Sequence, residues 1–233
     1  ISSLSAIIFG VFPAWIISNY SFKYRKTYDI LLFLPLSIPT YIMAFTYSDL
    51  LSFTGPIQSF SREYFPGFAD IINRDYLQIE ILGVLLGLAL YPYIYTAARI
   101  SFNYLGSTYI DVSKTLGLST LKTFWKVILP LSIPAIISGL FLVIMEVLNE
   151  YGAVKYFGVN TYTTGIFRAW FSMGETQTAI QLACLLLFFV LILFLIEKKL
   201  TSKNKFFYPL NSRIQKLNKI NKKNLIIFHI ICL

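Results

Sequence analysis

Five apolar runs of near-membrane length, at 1–19, 30–52, 77–98, 131–149 and 178–196, constrain this chain more than any other feature. About 20 apolar residues are needed for a helix to cross a hydrocarbon core roughly 30 Å thick. Inside lipid the backbone must satisfy its own donors and acceptors, so each run is expected to be a helix. The expected fold is all-α, a polytopic transmembrane helix bundle, with the membrane domain at 1–196. A further run, 224–233, reads as the start of another, truncated span. Composition agrees: 56% of residues are hydrophobic and 13% charged, where soluble domains carry about a quarter charged. The chain opens on Ile1 and closes inside an apolar run, so it reads as a fragment cut at both ends.

The net charge of +9 is distributed by side. If the 20–29 loop is inside, then 99–130 and 197–223 are inside as well. Of the 20 Lys and Arg, three fall in the first of these segments, four in the second and nine in the third. Only Arg62, Arg74, Lys155 and Arg168 remain outside. That bias is the positive-inside signal. It makes the basic excess topological, and no nucleic-acid partner is expected. The segment 197–223 has no apolar period and reads as a basic cytoplasmic linker. Outside, Asp49, Glu63, Asp70, Asp75, Glu80, Glu150 and Glu175 collect. They are solvated loop charge on one reading and attract a cation on another.

Between the third and fourth spans lies a patterned polar island, 111–130. Gly117 offers a turn that a β-carbon would resist. Ser119 then stands where it can cap a short helix, and Leu118, Leu121, Trp125 and Ile128 recur at helical spacing. Lys122 and Lys126 occupy a different face, and Pro130 begins the next span. Two readings fit: a docking element, or an interfacial helix with its lysines toward lipid headgroups. The hexapeptide Leu34–Pro39 recurs as Leu129–Pro134, each copy at the cytoplasmic start of a span. Shared geometry and chance both account for it.

The island resembles the coupling loop of ABC importer permeases, whose pattern is Glu-Ala-Ala, three residues, Gly, nine residues, Ile, one residue, Leu-Pro. Asp111 holds the Glu place, Val112 and Ser113 the Ala places, Gly117 the Gly, Val127 the Ile, and Leu129 with Pro130 the end. Val-Ser for Ala-Ala is the real departure. The resemblance implies a type I importer bundle whose 111–130 loop couples to separate ATPase subunits, with Asp111 either orienting a helix start or pairing with the ATPase. It also implies a periplasmic substrate-binding protein, a second permease half (fused or separate), and an inner-membrane location. ATP would be bound by the partner subunits, with no cofactor in this chain. The stretches 145–154, 156–159 and 163–174, and the earlier Leu34–Pro39 block, are similar to the iron(III)-type permeases. Thiamine, phosphonate, sulfate and polyamine permeases share the architecture, so iron(III) is the first expectation among several.

Glu146 lies inside an apolar run, where a charge is costly and usually faces a bundle interior or a water-filled path. Asn149 and Glu150 follow at i+3 and i+4, which predicts one shared helix face. Oxygen ligands suit a hard cation, so Glu146, Asn149 and Glu150 are candidates for a substrate path. Alternatively Glu146 snorkels, or pairs with Lys155 or Arg168. Trp170 and Phe171 suit interfacial anchoring. Cys184 and Cys232 sit in apolar runs without metal-ligand spacing. No phosphate loop occurs, since no glycine is followed by lysine. No enzymatic constellation is visible, so an enzyme is not expected. An ion-coupled transporter would need broken helices or charges on several spans, for which Glu146 alone is thin support.

Overall fold

Helices packed in lipid gain little from hydrophobic exclusion, so close backbone contact and interhelical hydrogen bonds must hold them together. The computed structural model describes residues 1–65, 67, 78–202 and 218–219. Its elements run α1 (Ser2–Asn19), α2 (Arg25–Leu31), a 3-10 turn (Leu34–Ser37), α3 (Thr40–Leu51) and α4 (Pro56–Tyr64). After these come α5 (Ile79–Thr115), α6 (Thr120–Thr123), a π-helical segment (Phe124–Ile128) and α7 (Leu129–Asn149). α8 (Gly152–Tyr156), α9 (Tyr162–Phe167), a second π segment (Arg168–Ser172) and α10 (Thr176–Ser202) complete the order. Tyr20–Ser21 also pairs in parallel with Asn218–Lys219. The linker at 203–217 and 220–223, the run 224–233, and Asp70, Arg74 and Asp75 lie outside the described residues.

The centre is α1 against α5, with α7 laid across both. Gly87 on α5 is so near α1 that a β-carbon there would stand 1.8 Å from Ser5 Oγ and 2.7 Å from the Ser2 carbonyl oxygen. Gly139 on α7 approaches the Ile94 Cα to 3.0 Å by the same measure. Ala6, Ala14, Ile17, Ile94, Tyr95, Ala98 and Phe102 are fully buried where these helices meet. Polar ties reinforce the contact. Ser101 Oγ bonds Ser132 Oγ at 3.0 Å in the interior. On α10, Glu197 accepts from Ser138 at 2.7 Å and from Thr201 at 3.1 Å. Only 11% of the most apolar stretch of α10 is buried, against 67% for the α5 span, so α10 is the peripheral helix.

Ser2–Asn19, Ile79–Leu105, Thr120–Asn149 and Thr176–Thr201 are long and apolar enough to cross a membrane. The run 30–52 departs from the single straight span expected of it. Arg25–Ser37 and Thr40–Tyr64 meet at 95°. Pro39 supplies no N–H and drives Ile38 into extended backbone (φ −103°, ψ 120°), so the helix stops and restarts. If the bent pair is one span, the count is five. The second copy of the hexapeptide, Leu129–Pro134, stays α-helical. Pro130 there stands in the first turn of the α-helical stretch, directly after the π segment.

Candidate coupling site and outer cleft

Most of the region read as a loop is helix. α5 runs 37 residues, about 55 Å at 1.5 Å per residue, well beyond a core of roughly 30 Å. Its apolar part ends at Leu105 and the remainder projects toward the basic end. Gly117, at φ +78°, terminates it. The Leu118 N–H bonds back to the Ser113 carbonyl at 3.0 Å, closing the helix in a Schellman motif with glycine at the left-handed position. Ser119 then caps α6, accepting from the Lys122 N–H, as its position in the sequence suggested.

Each expected coupling residue has a defined place. Asp111 is exposed near the C-terminus of α5 and does not stand at a helix start as expected. A carboxylate is disfavoured at that end by the helix dipole, so the acid is there against local preference. Val112 is exposed, while Ser113 is buried and donates to the Tyr109 carbonyl at 2.6 Å. Val127 and Leu129 are half-buried against the main core, and Pro130 is exposed at the start of α7.

The predicted apolar stripe of the island is only partly the buried one. Thr123, Phe124 and Ile128 face inward, whereas Leu121 is 72% exposed and Trp125 55%. Leu121 and Trp125 stand four apart on one face, and Phe124 and Ile128 four apart on the next, which is the face turned inward. Phe124 meets Trp15 of α1 at 4.7 Å and Phe102 of α5 at 6.2 Å between ring centroids. The island is thus riveted to two helices by one face. It presents Val112, Leu116 and Leu121 on the other, beside Lys122 and Lys126, with Trp125 at the margin, exposed but edge-on to Phe12 of α1 at 6.5 Å. Next to it, Arg99 forms an ion pair with Asp29, whose other oxygen accepts from Tyr95 Oη at 2.6 Å. Arg25 Nε donates to the Ile17 carbonyl at 2.6 Å.

At the opposite end of α7 the three path candidates separate. Glu146 and Asn149 are both exposed on one face, with Asn149 donating to the Met145 carbonyl at 3.0 Å. Glu150 leaves that face, because the helix ends at Asn149 and Glu150 is extended (φ −67°, ψ 126°). Its carboxylate accepts from Thr40 Oγ1 at the start of α3 and from the Ala153 N–H at 2.9 Å. It ties α3 and α8 together, with one hydrogen bond accepted on each oxygen. Neither proposed basic partner of Glu146 reaches it. Arg168 donates to Asn160 Oδ1 at 2.9 Å, and Lys155 lies over the Tyr151 ring at 5.3 Å.

Those two cations line a cleft of about 410 Å³ between α8, α9 and the second π segment. Tyr151 stacks on Phe167 at 3.8 Å, and Phe167 on Phe171 at 5.9 Å, along its wall. The aromatic segment 168–171 reads in the sequence as interfacial anchoring, and the cleft forms only where it folds beside α8 and α9, with Gly158 (φ +67°) at the turn between them. The Gly83-x-x-x-Gly87 spacing, by contrast, was a visible packing signal on α5.

A helical bundle with four candidate spans, or five if the bent pair is one, defines a multi-pass membrane protein. The chain belongs to the family of binding-protein-dependent transport system inner membrane components, matched over residues 6–204. These are transport permeases of the inner membrane and are not enzymes. Among similar proteins is the sulfate transport system permease protein CysT of Salmonella typhimurium, 30% identical over 69% of this chain and 55% of its own length. The Fe(3+)-transport system permease protein FbpB 2 of Haemophilus influenzae is 29% identical over 82% of this chain and 34% of its own. The molybdenum transport system permease protein ModB of the same organism is 26% identical over 84% of each. The chain therefore spans about half the sulfate permease and a third of the iron permease.

Proposed function

We propose that this chain is a transmembrane subunit of an ATP-driven importer that passes iron(III) from a periplasmic binding protein to the cytoplasm. Separate ATPase subunits dock on the 111–130 island, and a second permease half completes the pathway. One observation carries the coupling role: the island exposes Val112, Leu116, Leu121 and Trp125 while Thr123, Phe124 and Ile128 anchor it. Exposed aromatic and aliphatic side chains beside Lys122 and Lys126 suit a groove on a partner protein, where such residues concentrate binding energy.

The mechanism follows from continuity. Thr120–Asn149 is one 30-residue apolar helix in spite of its π turn, about 45 Å long. A push on its docking end tilts the whole rod, moving Glu146 and Asn149 at the far end. Nucleotide-driven motion is thereby converted into rigid-body switching between outward and inward states. Glu146 and Asn149 offer oxygen atoms to a hard cation in transit. The likeness to the iron(III) relative over 82% of this chain supports that substrate. The likeness to the sulfate and molybdenum permeases favours an oxyanion as the second reading.

The test is co-purification of a P-loop ATPase with the full permease, followed by ATP-driven uptake of iron(III), sulfate and molybdate into vesicles. Iron uptake that falls severalfold in Glu146→Gln, with ATPase retention unchanged, is the expected result. Uptake of sulfate or molybdate alone replaces the iron reading. Absence of any ATPase partner removes the importer reading.

A further inference from the structure

The cleft between α8, α9 and the second π segment has no part in the coupling mechanism, and its chemistry has a definite sign. Lys155 and Arg168 both line it, and among the described residues no Asp or Glu does. Among the described residues the ion pair is Arg99 with Asp29, so neither cleft cation is neutralised there. Glu150, the acid nearest in sequence to the cleft wall, is occupied by Thr40 and the Ala153 N–H. Both cations are held in place by neutral groups, Arg168 by Asn160 and Lys155 by the Tyr151 ring. That leaves their charge available while limiting the freedom each would lose on binding.

We infer that this cleft receives a carboxylate side chain from the substrate-binding protein, and so orients that protein over the outer mouth. The inference rests on the importer reading. Three features select a protein carboxylate over a free anion. First, the cleft of about 410 Å³ has room for on the order of ten waters at about 30 Å³ each. A bare tetrahedral oxyanion would sit there still hydrated and weakly held. Second, Lys155, Asn160 and Arg168 are all exposed, and no buried donor converges on the space as selective capture of a small anion from water requires. Third, the walls are the stacked rings of Tyr151, Phe167 and Phe171. A carboxylate arriving on a protein loop brings an apolar body to cover those rings, and aromatic walls around paired charges are the anatomy of a protein interface. The same two cations disfavour a bare iron(III) ion, so the cleft lies beside the ion's route. The cargo's own passage remains with Glu146.

The experiment uses the permease assembled with its ATPases in nanodiscs and the substrate-loaded binding protein of the same importer. Reversing both charges, Lys155→Glu with Arg168→Glu, is expected to weaken docking about tenfold or more. Lys155→Arg with Arg168→Lys is expected to retain docking within a few-fold. A carbodiimide, which condenses an amine with a contacting carboxylate into an amide with loss of the activated oxygen as urea, should join the wild-type permease to the binding protein. Lys155→Arg should abolish that adduct while keeping the affinity. Unchanged docking by the charge-reversed permease, still complexed with its ATPases, overturns the inference and leaves the importer reading intact. Displacement of the binding protein by sulfate or molybdate at constant ionic strength would make the cleft a free-anion site, and also overturns it. A permease that binds neither ATPase nor binding protein in its wild-type form fails the importer reading itself.

Discussion

Gly117 and Asp111 show how single residues shape the island. The left-handed backbone at Gly117 is what lets α5 stop and α6 begin. No atom lies within 4 Å of where its β-carbon would be, so substitution there acts through backbone strain alone. Gly117→Leu should cost about 1–2 kcal/mol and reduce ATPase retention and transport while insertion continues. Gly117→Asn, which tolerates that conformation, should lose much less. Normal transport in a well-expressed Gly117→Leu permease would sink the coupling role of this turn. Asp111 stands at a helix end that disfavours it. Asp111→Asn should therefore leave thermal stability equal or raised by about 0.3 kcal/mol, yet weaken ATPase co-purification. A loss of stability with intact co-purification would make Asp111 a structural residue.

At the scale of elements, the α6 and π segment has two faces with opposite expected phenotypes. Phe124 closes an aromatic cluster with Trp15 and Phe102, all three buried. Phe124→Ala should destabilise the permease by about 3–5 kcal/mol, read as a lower melting temperature in detergent. Leu121→Ser with Trp125→Phe alters exposed side chains and keeps a ring at 125 to meet Phe12. It should leave the melting temperature within a degree or two and still release the ATPase. Equal behaviour of the two variants in both measurements would mean that the island has no distinct docking face. The helical period of this stretch was legible in the sequence, but its phase was not. Phe124 rather than Trp125 turns inward because Trp15 and Phe102, on other helices, receive its ring, and local pattern does not record that contact.

For the whole molecule, the charge bias and the packing order make one joint claim about sidedness. Single cysteines at Lys122 and at Glu63, both exposed positions, should label from opposite sides of the membrane, Lys122 from the cytoplasm. Labelling of both from one side would overturn the span arrangement. The bundle that supports this topology is organised around α1 and α5, whose contact depends on Gly87 admitting the backbone of α1. The Asp29, Tyr95 and Arg99 cluster fastens α2 to α5.

Hydrophobic run length and the sidedness of lysine and arginine determined, without any coordinates, that this chain is a helical membrane protein and which end is basic. Both signals are one-dimensional: a span's length is set by bilayer thickness, and charge bias is counted along the chain. The Gly117 turn and the Ser119 cap were equally readable, because each depends on neighbours within a few residues. Only the tertiary structure decided the rest. Two identical hexapeptides took different forms, Leu34–Ser37 a 3-10 turn before a 95° bend and Leu129–Pro134 a helix. In the second, Ser132 is buried against Ser101, while Ser37 of the first bonds only its own turn. Glu150 likewise, extended beyond the end of α7, gives its carboxylate to Thr40, 110 positions away. Contacts between residues so far apart in the chain leave no mark in local pattern, since their energy exists only once the bundle has closed.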